Sequence, residues 1–145
     1  MTRINVAIKP KELYDQHLRA ELREINQLVG QYNKSLNSKK GIIINKLPSK
    51  FTLNKGHVSF FYNKMEYLYN RYKLLQNEAK IRGFKHDTKF GYEHNILIEH
   101  WNDYIETNDD RQLLIKRISE RYNEKPHFYL YYGEKNIKIE ELWQN

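Results

Sequence analysis

Apolar positions recur along this chain in three stretches at helical spacing. In the first, Tyr14, Leu18, Leu22, Ile25, Val29, Tyr32 and Leu36 step by three and four residues. That is one stripe of a long helix, with Pro10 placed to open or precede it. In the second, Val58, Phe61, Met65, Leu68, Tyr72, Leu75 and Ala79 repeat the same step without a miss. A helix follows, with Asn54 as its expected N-cap and Gly83 as its stop. Gly56, just before it, is expected to let another backbone approach closely. In the third, Ile115, Ile118 and Tyr122 face inward behind an expected cap at Asp109 or Asp110, and Pro126 ends the helix.

The stretches between these helices carry weaker patterns. Residues 37–52 break helical spacing with Gly41 and Pro48, and the β-branched run Ile42–Ile44 is too short for a sheet. Residues 84–108 read as a solvated loop with one short helix. They hold His86, His94 and His100, and no pair among these has the i, i+4 spacing of a helical zinc site, so no metal is assigned. After Pro126 the chain packs four aromatics into Phe128–Tyr132, then continues as a short charged tail over residues 134–145. The expected architecture is a single compact, mostly helical domain of about three main helices, with long connecting loops and an aromatic-rich C-terminal segment.

Composition narrows the function classes. The 145 residues carry 25 Lys and Arg against 18 Asp and Glu, a net charge of +7, which suits a polyanionic partner such as nucleic acid. It also suits solubility alone. Twelve tyrosines, several beside cations, fit bases and phosphates about as well as they fit a core. There is no cysteine, which removes disulfides and thiolate metal sites. No run reaches the roughly 20 apolar residues of a membrane span, and no basic-then-apolar leader opens the chain, so a cytoplasmic location is expected. A Gly-rich phosphate loop and a Ser-His-Asp set are both missing from the sequence.

One constellation remains. At about 100° per residue, His17, Glu21 and Glu24 share a narrow face of the first helix beside its apolar stripe, with Arg19 and Arg23 further round. Arg117 and Arg121 share a face of the third helix, one turn apart. Periodicity leaves two readings open: a site, or solvated faces with local ion pairs.

The stretches MTRIN, DQHLRAELREI (15–25), GHVSFFYNKMEYL (56–68), RGF (82–84) and PHFYLYYG (126–133) resemble the pyrimidine-dimer DNA glycosylases of the phage endonuclease V family. The likeness keeps its order from residue 1 to Gly133, which sets an expected domain of 1–133 followed by a tail of 134–145. The resemblance implies an all-α fold and a bifunctional enzyme. Such an enzyme cuts the glycosyl bond of a UV-induced cyclobutane pyrimidine dimer and then nicks the abasic site. It implies that the α-amino group of Thr2, exposed by loss of Met1, is the nucleophile and that Glu24 is the essential acid. It matches Arg3, Gln16, His17, Arg23, Arg117 and Arg121 to DNA-contacting or site positions. The implied partner is damaged double-stranded DNA. No metal, cofactor or obligate protein partner is expected, and the chain is expected to act as a monomer in the cytoplasm of a bacterial or phage-infected cell. Alternatives of other kinds are a non-catalytic DNA-binding module and a glycosylase of the same chemistry on another base lesion.

The implied nucleophile agrees with acid–base chemistry. Imine formation needs a neutral amine, and an α-amino group has a pKa of about 7.7–8.0 against about 10.4 for lysine. Roughly a tenth of such amines are neutral at pH 7. Arg3 beside it is expected to favour the neutral form further. Three positions depart from the family pattern: Gln27 stands where an arginine is frequent, and Phe128 and Leu130 replace a tryptophan and a lysine.

Overall fold

The computed structural model describes residues 3–85, 89–91 and 95–138. Its main elements are α1 (Asp15–Leu36), α2 (His57–Phe60), α3 (Met65–Ile81), α4 (Asn108–Glu124), β1 (Leu130–Tyr131) and β2 (Glu134–Lys135). The protein is all-α in class, with three long helices and a two-stranded hairpin as its only sheet among the described residues. The core fills the space where α1, α3 and α4 meet. Leu18, Leu22, Ile25, Val29 and Tyr32 of α1 are buried there with Met65, Leu68, Tyr72, Leu75 and Ala79 of α3 and Leu114, Ile118 and Tyr122 of α4. Ile115, expected to face inward, is only partly buried at its edge. The N-terminal segment threads the same core with a turn at Val6–Ala7 (Ala7 φ 65°), and Ile4, Val6 and Ile8 are fully buried.

The second apolar stripe forms two helices rather than one. Phe61–Asn63 is a 3-10 turn, and Lys64 (φ −131°, ψ 43°) leaves helical geometry before α3 begins. The break survives because the long loop satisfies the backbone it frees. The Tyr67 N–H donates to the Asn102 carbonyl at 3.2 Å, and the Asn102 side-chain amide donates to the Asn63 carbonyl at 2.9 Å. The cap of α2 also differs from expectation. Gly56, not Asn54, is the N-cap, with φ 96°. A Cβ there would meet the Pro48 side chain at 3.0 Å, so the close approach comes from a ring rather than a backbone.

Two further helix ends are informative. Gly83 (φ 79°) stops α3 as expected, with Phe84 N–H donating to the Ala79 carbonyl at 2.9 Å in a Schellman closure. At α4 the cap is Thr107, two residues before Asp109 and three before Asp110, the positions expected for it. Its hydroxyl accepts from Asp110 N–H, and the Asp110 carboxylate accepts from Thr107 N–H, a reciprocal capping box.

The C-terminal aromatics wrap back over the start of α1. Tyr132 (φ 52°) and Gly133 (φ 81°) form the two-residue turn between β1 and β2. Asp15 holds that turn by accepting from Tyr132 N–H at 3.2 Å and Gly133 N–H at 2.9 Å. Arg82 ties the same corner together. It bonds Asp15 and Glu78 through their carboxylates, donates to the carbonyls of Leu13 and Pro10, and lies over the Tyr131 and Tyr132 rings. The packed chain continues past Gly133, since the Tyr14 hydroxyl donates to the Ile137 carbonyl at 3.0 Å. Among the described residues no helix is long and apolar enough to cross a membrane.

Candidate nucleic-acid interface and active site

An open cleft of about 400 Å³ runs between the first turns of α1, the face of α4 and the aromatic segment. Five arginines line it, Arg3, Arg19, Arg23, Arg117 and Arg121, and no carboxylate does among the described residues. Three separate stretches of chain supply them. Arg3 comes from the N-terminal segment, Arg19 and Arg23 lie at i, i+4 on α1, and Arg117 and Arg121 lie at i, i+4 on α4. Burial, followed by repulsion from Arg121 and Arg3, holds the Arg117 guanidinium below its usual pKa. Gathering like charges costs free energy, and an anion across the cleft offsets that cost.

Every residue matched to a DNA contact lines this cleft: Arg3, Gln16, His17, Arg23, Arg117 and Arg121. Their local roles differ. The Gln16 amide donates to the Phe128 carbonyl at 2.6 Å and accepts from Leu130 N–H at 2.9 Å. Gln16 thus pins the aromatic segment to the cleft wall. His17 stacks on Tyr129, with ring centroids 4.9 Å apart, and its buried Nδ1 has no hydrogen-bond partner among the described residues. Burial, reinforced by Arg117 and Arg121, pushes the His17 ring down to a pKa of about 4, so it is neutral at physiological pH. Asn5 lines the cleft without having been singled out in the sequence, and Arg19, placed further round α1, lines it together with Phe128 and Tyr129 of the aromatic segment. Arg19 sits three and four residues from Gln16 and Arg23, a signal that was present; its guanidinium lies 3.9 Å above the Phe84 ring.

The two glutamates of α1 have separate fates. Glu21 is fully buried and forms a two-pronged ion pair with Arg71 of α3, at 2.5 Å and 3.0 Å, while also accepting from the Asn5 amide at 2.7 Å. It is committed to the core. Glu24, one turn further on, is partly exposed. Burial pushes its carboxyl above the usual carboxylate range, and Arg3 pulls it back. Arg3 therefore acts on both Glu24 and the cleft. Thr2 lies outside the described residues, as do His86 and His94. His100 is buried, with Nδ1 2.6 Å from the Tyr32 hydroxyl, and no group of metal-ligating side chains forms among the described residues.

Among the described residues the cleft is lined by arginines without a carboxylate, a charge pattern that suits a polyanion; Glu24 does not line it, and Arg3 of the lining acts on that carboxyl. A sequence model of the pyrimidine dimer DNA glycosylase family matches residues 1–92, more than half of the chain. The protein belongs to that family, whose activity on DNA is a repair glycosylase activity. The match covers α1, α2 and α3, and the cleft wall formed by Arg117, Arg121, Phe128 and Tyr129 lies beyond it.

Proposed function

We propose that the protein is a bifunctional DNA N-glycosylase and abasic-site lyase acting on cyclobutane pyrimidine dimers in duplex DNA, with the α-amino group of Thr2 as nucleophile. One observation carries this reading. Arg3, the residue after Thr2, both lines the arginine cleft and acts electrostatically on Glu24. One side chain, next in sequence to Thr2, thus couples the acid to the arginine cleft, and this supports the reading.

The steps balance as follows. The neutral amine attacks C1′ of the damaged nucleotide, and the glycosyl C–N bond breaks as the base leaves with a proton. The new C1′–N bond becomes an iminium as the sugar ring opens and its oxygen is protonated. Loss of a C2′ proton then expels the 3′ phosphate by β-elimination, and water hydrolyses the imine to free the amine. Glu24 stands to stabilise positive charge at the sugar and to relay protons, and its raised pKa brings it nearer to the operating pH. The arginines hold the flanking phosphates while the duplex is distorted. Amine and carboxylate supply the whole set of steps, so neither metal nor cofactor takes part. The protein works as a monomer in the cytoplasm, without a protein partner.

Borohydride trapping tests this. Protein shown by intact mass to lack Met1 is mixed with UV-irradiated duplex and reduced. A covalent adduct is expected, lost in Glu24→Gln and lost when the N-terminus is blocked. Absence of an adduct on irradiated and abasic duplexes leaves a DNA-binding module instead. An adduct favoured on oxidised rather than dimer-containing duplex moves the enzyme to another lesion.

A further inference from the structure

The segment that leads to the amino end is gripped by one loop. Its residues Thr52 to His57 form two bonds to consecutive residues of the chain's start. The Leu53 carbonyl accepts from Arg3 Nε at 3.0 Å, and His57 Nε2 accepts from the Ile4 backbone N–H at 3.0 Å. The other ring nitrogen, Nδ1, lies 2.8 Å from the Thr52 carbonyl oxygen. A carbonyl only accepts, so Nδ1 carries the ring proton and Nε2 presents its lone pair to Ile4. His57 is buried, and burial, aided by Arg3 and Arg117, holds its pKa at about 4. The ring is therefore neutral and in one tautomer at neutral pH. Gly56, the residue before it, takes a left-handed conformation that aims the histidine inward.

We propose that His57 is a positioning residue for the α-amino group of Thr2, acting through the Ile4 N–H. The peptide plane it fixes contains the Arg3 carbonyl carbon. Only three soft rotations, ψ and φ of Arg3 and ψ of Thr2, then separate that plane from the amine. Glu21, bonded to Asn5, fixes the next residue along to the same helix that carries Glu24. The segment is thus held at Arg3, Ile4 and Asn5, which fixes the point from which those three rotations place the amine. Misplacement of a reacting group by about 1 Å costs on the order of a hundredfold in rate. The inference rests on Thr2 being the nucleophile.

Two substitutions separate positioning from simple support of the fold. In His57→Gln the amide oxygen reaches the place of Nε2 and still accepts from Ile4. In His57→Asn the shorter amide reaches only the place of Nδ1, so the Thr52 contact stays and Ile4 N–H loses its partner. Both are assayed with UV-irradiated duplex for equilibrium binding and for single-turnover borohydride trapping at saturating protein, below the unfolding midpoint of each. The expected result is trapping slowed about ten- to a hundredfold in His57→Asn, binding within about threefold of the parent, and His57→Gln at least tenfold faster than His57→Asn. Equal trapping rates in His57→Asn and the parent overturn the proposal. Parallel losses of binding and trapping in both variants also overturn it, since they mark a structural role. If His57→Asn does not fold, His57→Gln decides, and a tenfold or larger loss of rate there counts against the proposal. A parent protein that gives no adduct removes the Thr2 reading itself, whereas a trapping parent with indifferent variants removes only the role of His57.

Discussion

Replacing Arg71 with methionine isolates what Glu21 does. The Glu21 side chain is 0% exposed and that of Arg71 5%, and their ion pair is joined by the Asn5 amide on one side and the Ile8 carbonyl on the other. Methionine fills much of the same volume and removes the charge. It leaves a buried carboxylate whose remaining hydrogen bond among the described residues comes from Asn5, and takes the Arg71 donor from the Ile8 carbonyl. Breaking one partner from a buried pair costs about 3–5 kcal/mol, against a total stability of about 5–15 kcal/mol for a domain. With a urea slope of about 1–3 kcal/mol/M, the midpoint should fall by roughly 2 M. Adding Glu21→Gln to Arg71→Met removes the stranded charge and keeps an acceptor for Asn5, so the double variant should recover at least about 2 kcal/mol. Equilibrium urea unfolding followed by circular dichroism measures all four corners of the cycle. Costs that simply add, or an Arg71→Met variant weaker by less than about 1 kcal/mol, would refute the reasoning. Glu24→Gln is the contrast. Burial already penalises its ionised form, so the amide should cost less than about 0.5 kcal/mol while removing the trapped adduct.

Three further outcomes follow from the same geometry. The His57 ring titrates at about 4 when folded against 6.5 ordinarily, so the unfolded chain alone binds a proton between those values. Its contribution is full above about pH 6.5 and is lost as the pH falls toward 4, by up to about 3 kcal/mol. Urea midpoints at pH 7, 5.5 and 4.5 should show a shallower acid limb in His57→Gln, and an identical limb contradicts the assignment. Arg117→Gln and Arg121→Gln should each reduce the slope of log K against log salt on undamaged duplex by about 0.9, and a variant with the parental slope has no phosphate contact. Gly30 sits in the middle of α1 with open space where a Cβ would go, so Gly30→Ala should stabilise by about 1 kcal/mol in thermal unfolding. A lower melting temperature would count against this.

Periodicity by itself determined the three long helices, because the apolar stripe of each is a local property of spacing. Spacing also put Arg117 and Arg121 on one face of α4 and Arg19 and Arg23 further round α1 from Glu24, while Gln16 entered as a site position only through the family resemblance. The stop at Gly83 was equally legible, since a left-handed residue after a stripe is a local signal. Tertiary structure decided the rest. The spacing from Val58 to Ala79 runs through the break at Lys64 unmarked, because a 3-10 turn barely shifts the phase and Asn102, far along the chain, satisfies the backbone it frees. Glu21 and Glu24 are the same residue type one turn apart, and nothing local distinguishes them. Arg71 arrives from fifty residues away to bind one into the core, leaving the other beside Arg3. Nothing in its local sequence singled out His57, and only folding brings its Nε2 to the N–H of Ile4. Spacing fixes the face on which a side chain lies. Pairing of charges and hydrogen bonds depends on residues distant in sequence, so the contacts that hold Ile4 and commit Glu21 became visible only once the chain had folded.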